Sequence, residues 1–357
     1  NQITYKNIEV GDLSIRAEAN IRHVAIETLT IKRGNDRANV RGTINWMEKS
    51  FEDIQGELDV KDLDSVVADV IPLFWHRSEK FPRIQGVLKG TIKLSGAFTK
   101  PDGILNLQTR HIRIDGTPFG NADVDLSLSQ EELRVSSAEF RNSNDRLHLQ
   151  GKIHHQLKQL KDLNIIVKIS DLSAYSTLWQ QASISISGSL NGQMHASGAL
   201  LNPDADAELQ VENLRLQSIH IDSGLAKLKS ANHLLTIESA KIKTTEGTIQ
   251  IAGQVQRNVD DTEFDVTLEK ASIIGQDTLL ALERTQKCRL FHNGRVIFNN
   301  LTFTGSAGRL SVSGTFNPDG KSDLLITVAD LRSDGWLGMI ASDRTRFQGL
   351  NAQIKFL

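Results

Sequence analysis

The sequence predicts a mainly β protein, a long curled antiparallel sheet built of repeated units with a few short helices. Three observations predict it: apolar and polar residues alternate along most of the chain, a glycine-marked segment recurs at a fixed interval, and continuous apolar runs are few. Alternation indicates a strand with one face away from water. Continuous apolar runs would instead indicate buried parallel strands. We therefore expect antiparallel strands that share one dry face.

Alternation is clearest in five segments of the chain. Polar residues such as His148, Gln250 and Ser311 stand between the apolar ones. Because successive side chains of a strand point to opposite faces, the apolar positions are predicted to line a single face. These positions are Leu88, Ile92, Leu94, Leu147, Leu149, Ile153, Ile184, Ile186, Leu190, Met194, Ile249, Ile251, Val255, Leu310, Val312 and Phe316.

The glycine-marked segment is IQGVLKGTIKLSGAFTKPD, which begins at Ile84, and its copy ISGSLNGQMHASGALLNPD lies 102 residues later. A fixed period in register indicates a repeat architecture. It predicts one continuous repetitive β-groove with approximate units 1–83, 84–183 and 184–348, and the start of another unit at 349–357. The interval from Gly188 to Gly349 is 161 residues, so we expect the third unit to be enlarged.

Short helices are predicted where Asp-Leu pairs precede each glycine-marked strand. The pairs are Asp62-Leu63, Asp171-Leu172 and Asp330-Leu331. In the first, Asp64 or Ser65 is the candidate N-cap, since short polar side chains accept from exposed N–H groups there. Residues 277–282 are a further helical candidate. All of these segments are too short to cover a large sheet.

A one-faced sheet must bury its apolar side against helices, a second sheet or itself. Helices are few and linkers between separate domains are not evident, so we expect the sheet to curl with its apolar faces opposed. Gly90 and Gly192 are predicted to point to the dry face, where they mark either a bend or bulge or room for a guest. Such an apolar trough suits flexible hydrocarbon chains, at about 0.8 kcal/mol per buried methylene.

Sequence signals for catalysis are missing. The chain has no P-loop and no HExxH motif, and its histidines are scattered apart from His154-His155. The only cysteine, Cys288, is interpreted as an idle or buried thiol. We expect no enzymatic activity, no catalytic residue, no metal and no cofactor. A net charge of -2 gives no reason to expect a nucleic-acid partner.

Membrane insertion is not indicated, because the apolar runs fall well short of the roughly 20 residues that span a bilayer. The chain is interpreted as an internal fragment. Four tryptophans, Trp46, Trp75, Trp179 and Trp336, either pack in the core or contact lipid or a partner at an interface. A surface adhesin or a β-solenoid acting on polysaccharide is disfavoured, since coil repeats of about 20 residues and clustered carboxylates are not evident.

The ordered recurrence of Asp-Leu, a short helix and a glycine-marked strand ending in proline resembles the repeats of the TamB branch of the AsmA-like proteins. It covers residues 62–101 and 171–203 and resumes at Asp330. The resemblance implies a β-taco, a U-shaped hydrophobic groove that carries phospholipids between the inner and outer membranes of a bacterial envelope. The alternative that it implies is a periplasmic scaffold for assembly of outer-membrane β-barrel proteins by strand addition.

The resemblance also implies partners and a location. The expected ligands are phospholipids or other acyl-chain lipids, and an outer-membrane β-barrel protein is the expected protein partner. The expected location is the periplasm, with the full-length protein anchored in the inner membrane. Membrane contact is expected only through parts outside residues 1–357.

Overall fold

Antiparallel strands account for nearly all of the structure, a computed structural model. It describes residues 2–5, 8–67, 83–154, 156–176, 185–216, 219–257, 263–275, 277–318, 321–332 and 350–356. Helical turns occur in this part of the chain at residues 63–67 and in the 3-10 helix Leu172–Tyr175. The predicted mainly β class with a few short helices is confirmed.

The chain divides into two compact units, of which the first comprises Asn1–Ile169 and Ser197–Leu200. Its strands follow one another in chain order, with short connections except between β5 and β6, which residues 61–83 separate. They are β1 (Gln2–Tyr5), β2 (Ile8–Ala19), β3 (His23–Arg33), β4 (Asp36–Asn45), β5 (Ser50–Val60), β6 (Ile84–Ala97), β7 (Lys100–Ile114), β8 (Thr117–Leu128), β9 (Glu132–Asn142), β10 (Asp145–His154) and β11 (Gln159–Ile169). Each pairs antiparallel with the next, so the unit is a meander.

The second unit comprises Ser170–Ala196 and Leu201–Leu357. Its strands are β12 (Ile186–Ala199, whose end belongs to the first unit), β13 (Asn202–Leu216), β14 (Ile219–Ala231), β15 (Leu234–Thr244), β16 (Gly247–Arg257), β17 (Glu263–Ile274), β18 (Leu279–Leu282), β19 (Gln286–Phe291), β20 (Val296–Gly305), β21 (Gly308–Phe316), β22 (Asp323–Leu331) and β23 (Leu350–Phe356). From β13 to β17, and again from β20 to β23, successive strands pair antiparallel.

Tight turns explain why the strands reverse where they do. β7 and β8 are joined by Asp115-Gly116, with φ of 48° and 83°, and β14 and β15 by Asn232-His233, with φ of 52° and 62°. Positive φ at both central residues matches the twist of the flanking strands, and Asp, Asn and Gly tolerate it best. These two-residue turns fix the register of their hairpins.

The repeat predicted from the sequence has a structural unit of six strands. β6 and β12 begin 102 residues apart, as do β7 and β13, and β9 and β15. For the strands before β6 the interval is longer: β3 and β9 begin 109 residues apart, as do β4 and β10. The difference of seven residues arises between β5 and β6, in the connection that contains the helical turn. Each repeat therefore contains the same set of strands.

An interrupted strand lies within residues 184–348, the range predicted from the sequence to be an enlarged unit. β17 pairs with β18 near its end and with β19 near its start, and both of these also pair with β20. Together β18 and β19 thus occupy one strand position, broken at residues 283–285. The helix expected at 277–282 was wrong, because Leu279–Leu282 forms ladder hydrogen bonds with strands on both sides.

The first predicted helix begins earlier than expected. Its helical residues start at position 63, so Asp62 occupies the N-cap position, and the expectation of Asp64 or Ser65 there was wrong. In the second, Asp171 is the N-cap and its carboxylate accepts a 2.9 Å hydrogen bond from the Ser173 N–H. The third predicted helix follows Asp330 and lies largely outside the described residues.

Candidate functional site

A continuous apolar row crosses ten strands of the first unit, from β2 to β11. Directly paired residues of antiparallel strands place their side chains on the same face, so the register defines the row. It consists of Leu13, Ile31, Ala38, Leu58, Gly90, Leu107, Val124, Ala138, Leu149 and Ile165. We call the side of each unit that carries such rows the apolar face.

The opposite side of the sheet, which we call the polar face, carries polar residues one position along each strand from the apolar row. Its equivalent row consists of Ser14, Thr30, Asn39, Glu57, Thr91, Asn106, Asp125 and Ser137. Ion pairs also lie on this side, among them Lys161 with Glu132 at 2.8 Å. The hydrogen bond from Lys161 lowers the pKa of the Glu132 carboxyl. One side of the sheet is therefore solvated and the other is hydrocarbon.

The apolar face of the first unit is only half-buried. Ile15, Ile92 and Phe140 are 58%, 39% and 37% exposed. The helices among the described residues have five residues or fewer, so they supply no layer that could cover ten strands. Large exposed apolar surface in a folded protein usually marks a binding site.

The structure brings the predicted residues of the first unit together on this face. Leu149 lies in the ten-strand row, and the other five lie in neighbouring rows. They are Leu88, Ile92 and Leu94 on β6, and Leu147 and Ile153 on β10. Their contact with a ligand stays a prediction.

An apolar face also crosses the second unit. One of its rows consists of Leu235, Val255, Val266, Cys288, Phe298, Gly314 and Leu324. The predicted residues Ile249, Ile251, Val255, Leu310, Val312 and Phe316 all lie on this face. Ile186, Leu190 and Met194 share one face of β12, at intervals of four residues. Ile184 lies outside the described residues.

The glycines of the apolar face make room for neighbouring side chains. A Cβ on Gly90 would lie 2.7 Å from Cδ2 of Leu107, and one on Gly56 would lie 2.5 Å from Cγ2 of Ile92. Gly90 is thus on the predicted face, but the space beside it is filled by Leu107 and not left for a guest. Bulges occur elsewhere, for example at Gly86, where the register with β7 shifts.

Part of the apolar face in the second unit is closed by its own side chains. Leu280 is 1% exposed and packs in a cluster with Ala307 and Val328. Leu310 packs against this cluster. Among the described residues, Leu280 is the only large side chain so fully enclosed. Leu310 therefore contributes to the packing of the sheet, although it is partly exposed, as Leu149 is.

Two groups on β19 distinguish the second apolar face. Cys288 is half-buried between Val266 and Phe298, and burial raises the pKa of its thiol. Gln286 lies on the same face, is 7% exposed, and its Nε2 has no hydrogen-bond partner. The burial of Gln286 could not be predicted from the sequence, because it depends on pairing with Leu268, a residue distant in the chain.

Concave depressions are found on the polar face of the first unit. The first, of about 490 Å³, lies over β4 to β7, and the second, of about 410 Å³, over β3 to β6. They share Arg37, Asn39, Glu57 and Thr91 in their walls. Charged and amide groups dominate these walls, so the depressions do not suit an acyl chain.

Neither a metal-ligand cluster nor a helix able to span a membrane is present in the described part of the chain. No group of three or more His, Cys, Asp or Glu side chains there is placed to hold a metal ion. No helix in that part of the chain has the length and hydropathy needed to cross a membrane.

Comparison with known proteins gives one match. The family model described as TamB, N-terminal domain, matches residues 1–262. Neither a curated protein nor a solved structure matches the chain. The matched region includes the first unit and the start of the second, with β2 to β11 and the six-strand repeat. The chain therefore belongs to the TamB family.

Proposed function

We propose that the apolar faces bind the acyl chains of phospholipids, and that this chain forms part of a lipid conduit between the inner and outer membranes. The TamB family is associated with the cell envelope, in lipid or protein transport, and works with outer-membrane partners. Within that range, a lipid ligand is favoured by one observation above all. A row of apolar residues crosses ten strands and is only half-buried.

Leaving this apolar face in water is unfavourable. Acyl chains that lie across the rows would remove it from solvent, at about 25 cal/mol per Å² of apolar area. The headgroups of the bound lipids would project into solvent. The rows repeat from strand to strand without a polar barrier between β2 and β11, so a lipid has similar contacts at each step. The sixteen predicted positions, Leu88 to Phe316, are proposed as the lining.

The proposed location is the periplasm, with the full-length protein anchored in the inner membrane. The sheet is proposed to curl so that its apolar faces form a groove. Passive diffusion along such a groove needs neither a cofactor nor a catalytic residue in this chain.

The experiment uses the purified chain and one pair of variants. Leu149→Asp places a charge on the apolar face, whereas Gln150→Asp places it on the next residue of the same strand, which faces the other side. Lipids are extracted into organic solvent and identified by mass spectrometry. We expect phospholipid with the wild type and with Gln150→Asp, and its loss from Leu149→Asp with the circular dichroism spectrum unchanged.

Lipid-free wild-type protein that retains its sheet would overturn the proposal. The scaffold function, in which a client strand adds to a sheet edge through main-chain hydrogen bonds, would then be favoured. Equal lipid content in the two variants would also count against the apolar face as the binding surface.

A further inference from the structure

The hairpin turns of the first unit form two rims of different character. In an antiparallel meander, alternate turns lie along the same rim, so the turns that follow β2, β4, β6, β8 and β10 share one. The turns that follow β3, β7 and β9 lie on the other rim and are polar: Gly34-Asn35, Asp115-Gly116 and Ser143-Asn144. The first rim carries exposed apolar side chains instead.

The first apolar patch of this rim spans three successive turns. Ile21, Trp46 and Met47 are 92%, 55% and 67% exposed. The Trp46 ring meets the Phe98 ring edge-on, with centroids 6.0 Å apart. Of the four tryptophans only Trp46 is described, and it projects into solvent from this rim.

Hydrogen bonds between the turns hold the patch in place. The Trp46 N–H donates to the Arg22 carbonyl at 2.9 Å, and the Phe98 N–H donates to the Lys49 carbonyl at 2.7 Å. The side chains are therefore carried on a continuous hydrogen-bonded edge. An exposed apolar group on a fixed backbone costs less to bind than one on a loose loop, because less conformational entropy is lost.

A second patch lies at the equivalent place in the next repeat. The Leu200 N–H donates to the Lys158 carbonyl at 2.8 Å, as Phe98 does to Lys49. Lys49 and Lys158 are 109 residues apart, and Phe98 and Leu200 are 102 apart, which are the offsets of the strand repeat. Leu157 and Leu200 are 60% and 41% exposed.

The two patches are separate but lie along one line. The turn between β8 and β9 is polar and separates them. Six strands at about 4.8 Å each place the patches roughly 29 Å apart along the rim. Both carry a lysine at the same position of the turn, and the first also has Arg22. The acidic residues in the turns of this rim are Glu48 and, between the patches, Glu131.

The occupant is identified by area and by charge. A stable protein–protein interface buries about 800 Å² on each partner, more than three or four turn side chains offer. Shallow insertion into the headgroup region of a bilayer needs far less, and Trp prefers that region because its ring is apolar with one polar group. Lys and Arg beside such a patch favour anionic headgroups.

We propose that this rim is a membrane-contact edge, at which Ile21, Trp46, Met47, Leu157 and Leu200 insert into the surface of an anionic phospholipid bilayer. From the sequence we expected membrane contact only through parts outside residues 1–357. The contact does not depend on the conduit proposed above, because the five residues lie in the turns and outside the apolar rows.

The test is flotation of the chain with vesicles of phosphatidylethanolamine and phosphatidylglycerol. Trp46→Ser combined with Met47→Ser, and separately Leu157→Ser combined with Leu200→Ser, are each expected to weaken binding about tenfold or more. Ile166→Ser is the matched control, since Ile166 is 54% exposed but pairs with His148 on the polar face. It should bind as the wild type does, and circular dichroism should show all variants folded.

Vesicle flotation and lipid co-purification test the rim and the apolar face separately. Leu149→Asp is expected to lose co-purifying lipid and still float with vesicles, because the rim is intact. A wild-type chain that does not float would overturn the inference. So would rim variants that bind vesicles normally, or a concentration-dependent dimer in sedimentation that the rim substitutions disrupt, since the patches would then contact protein.

Discussion

Gly42 on β4 faces Asp53 on β5 across a bulge in which both residues have positive φ, 134° and 50°. A Cβ on Gly42 would lie 2.6 Å from the Asp53 carbonyl oxygen. Gly151 and Asp162, each 109 residues further along, repeat the arrangement, and Asp162 also has φ of 50°. The extra residue of β5 or β11 pushes its backbone into the place where a side chain would stand, so only glycine fits on the facing strand.

Gly42→Ala is therefore expected to lower the free energy of unfolding by about 2–3 kcal/mol, because it combines backbone strain with overlap against fixed backbone atoms. Urea denaturation followed by circular dichroism measures the loss. Gly34→Ala is the control: Gly34 has φ of 56°, but a Cβ there would meet nothing within 4 Å. It should cost only about 1 kcal/mol, and equal losses at both positions would contradict the overlap.

Gly90 and Leu107 compete for the same space on the apolar face, with 2.7 Å between a Cβ at position 90 and Leu107 Cδ2. Gly90→Ala is expected to cost about 1–2 kcal/mol, since a flexible side chain must move. Leu107→Ala should cost about 2 kcal/mol by lost packing. In a double-mutant cycle, the double variant should lose about 0.5 kcal/mol less free energy of unfolding than the sum of the two single losses. Strict additivity would show that the two positions do not interact.

Periodicity was enough to predict the strands and their faces because the signal is local. Leu147, Leu149 and Ile153 alternate with polar residues, and the register with β9 and β11 places them as expected. The run Leu279–Leu282 was misassigned to a helix because a short apolar run has no period of its own. Pairing with β17 and β20 decides its conformation.

The candidate site was less predictable than the fold, because exposure depends on packing between distant strands. Leu149 and Leu310 have the same alternating context in the sequence. In the structure both are partly exposed, but Leu310 packs against the buried cluster of Leu280 and Val328, whereas Leu149 lies in the row that crosses ten strands. Similarly, nothing local distinguishes Gly90, which admits a neighbouring Leu107 side chain, from Gly86, which lies at a bulge.

Asp171 should make stability depend on pH through its cap. Its carboxylate accepts from the Ser173 hydroxyl at 2.6 Å, from the Ser173 N–H at 2.9 Å and from the Gly188 N–H at 3.4 Å. These hydrogen bonds, that of the Ser173 side chain first, lower the pKa of Asp171. A lowered pKa in the folded state means that the stabilisation is present at neutral pH and is lost as pH falls through that pKa, below the ordinary value of about 3.9.

Asp171→Ala is accordingly expected to cost about 1 kcal/mol at pH 7, with the difference from the wild type shrinking as the pH falls below about 4. Urea denaturation curves of both proteins at pH 7 and at a pH below about 4 test this prediction. Ser173→Ala keeps the carboxylate and removes one donor, so it should cost less than Asp171→Ala at pH 7. A difference between wild type and Asp171→Ala that is independent of pH would contradict the role of the charge.

Cys288, the only cysteine, can report directly on the apolar face. It pairs with Val266 and Phe298 there, and its raised pKa leaves little thiolate at neutral pH. Alkylation by iodoacetamide at pH 7 is therefore expected to be slow, and slower still when a fatty acid occupies the face. Mass spectrometry of the labelled chain gives both rates.

The matched control moves the thiol by one residue. Lys287→Cys in a Cys288→Ser background places it on the polar face of the same strand, because successive residues of β19 point to opposite sides. Its alkylation should be fast and unaffected by fatty acid. If fatty acid slowed both thiols equally, protection would reflect a general effect of lipid on the chain. Protection of Cys288 alone requires the acyl chain to lie where the register places the apolar row.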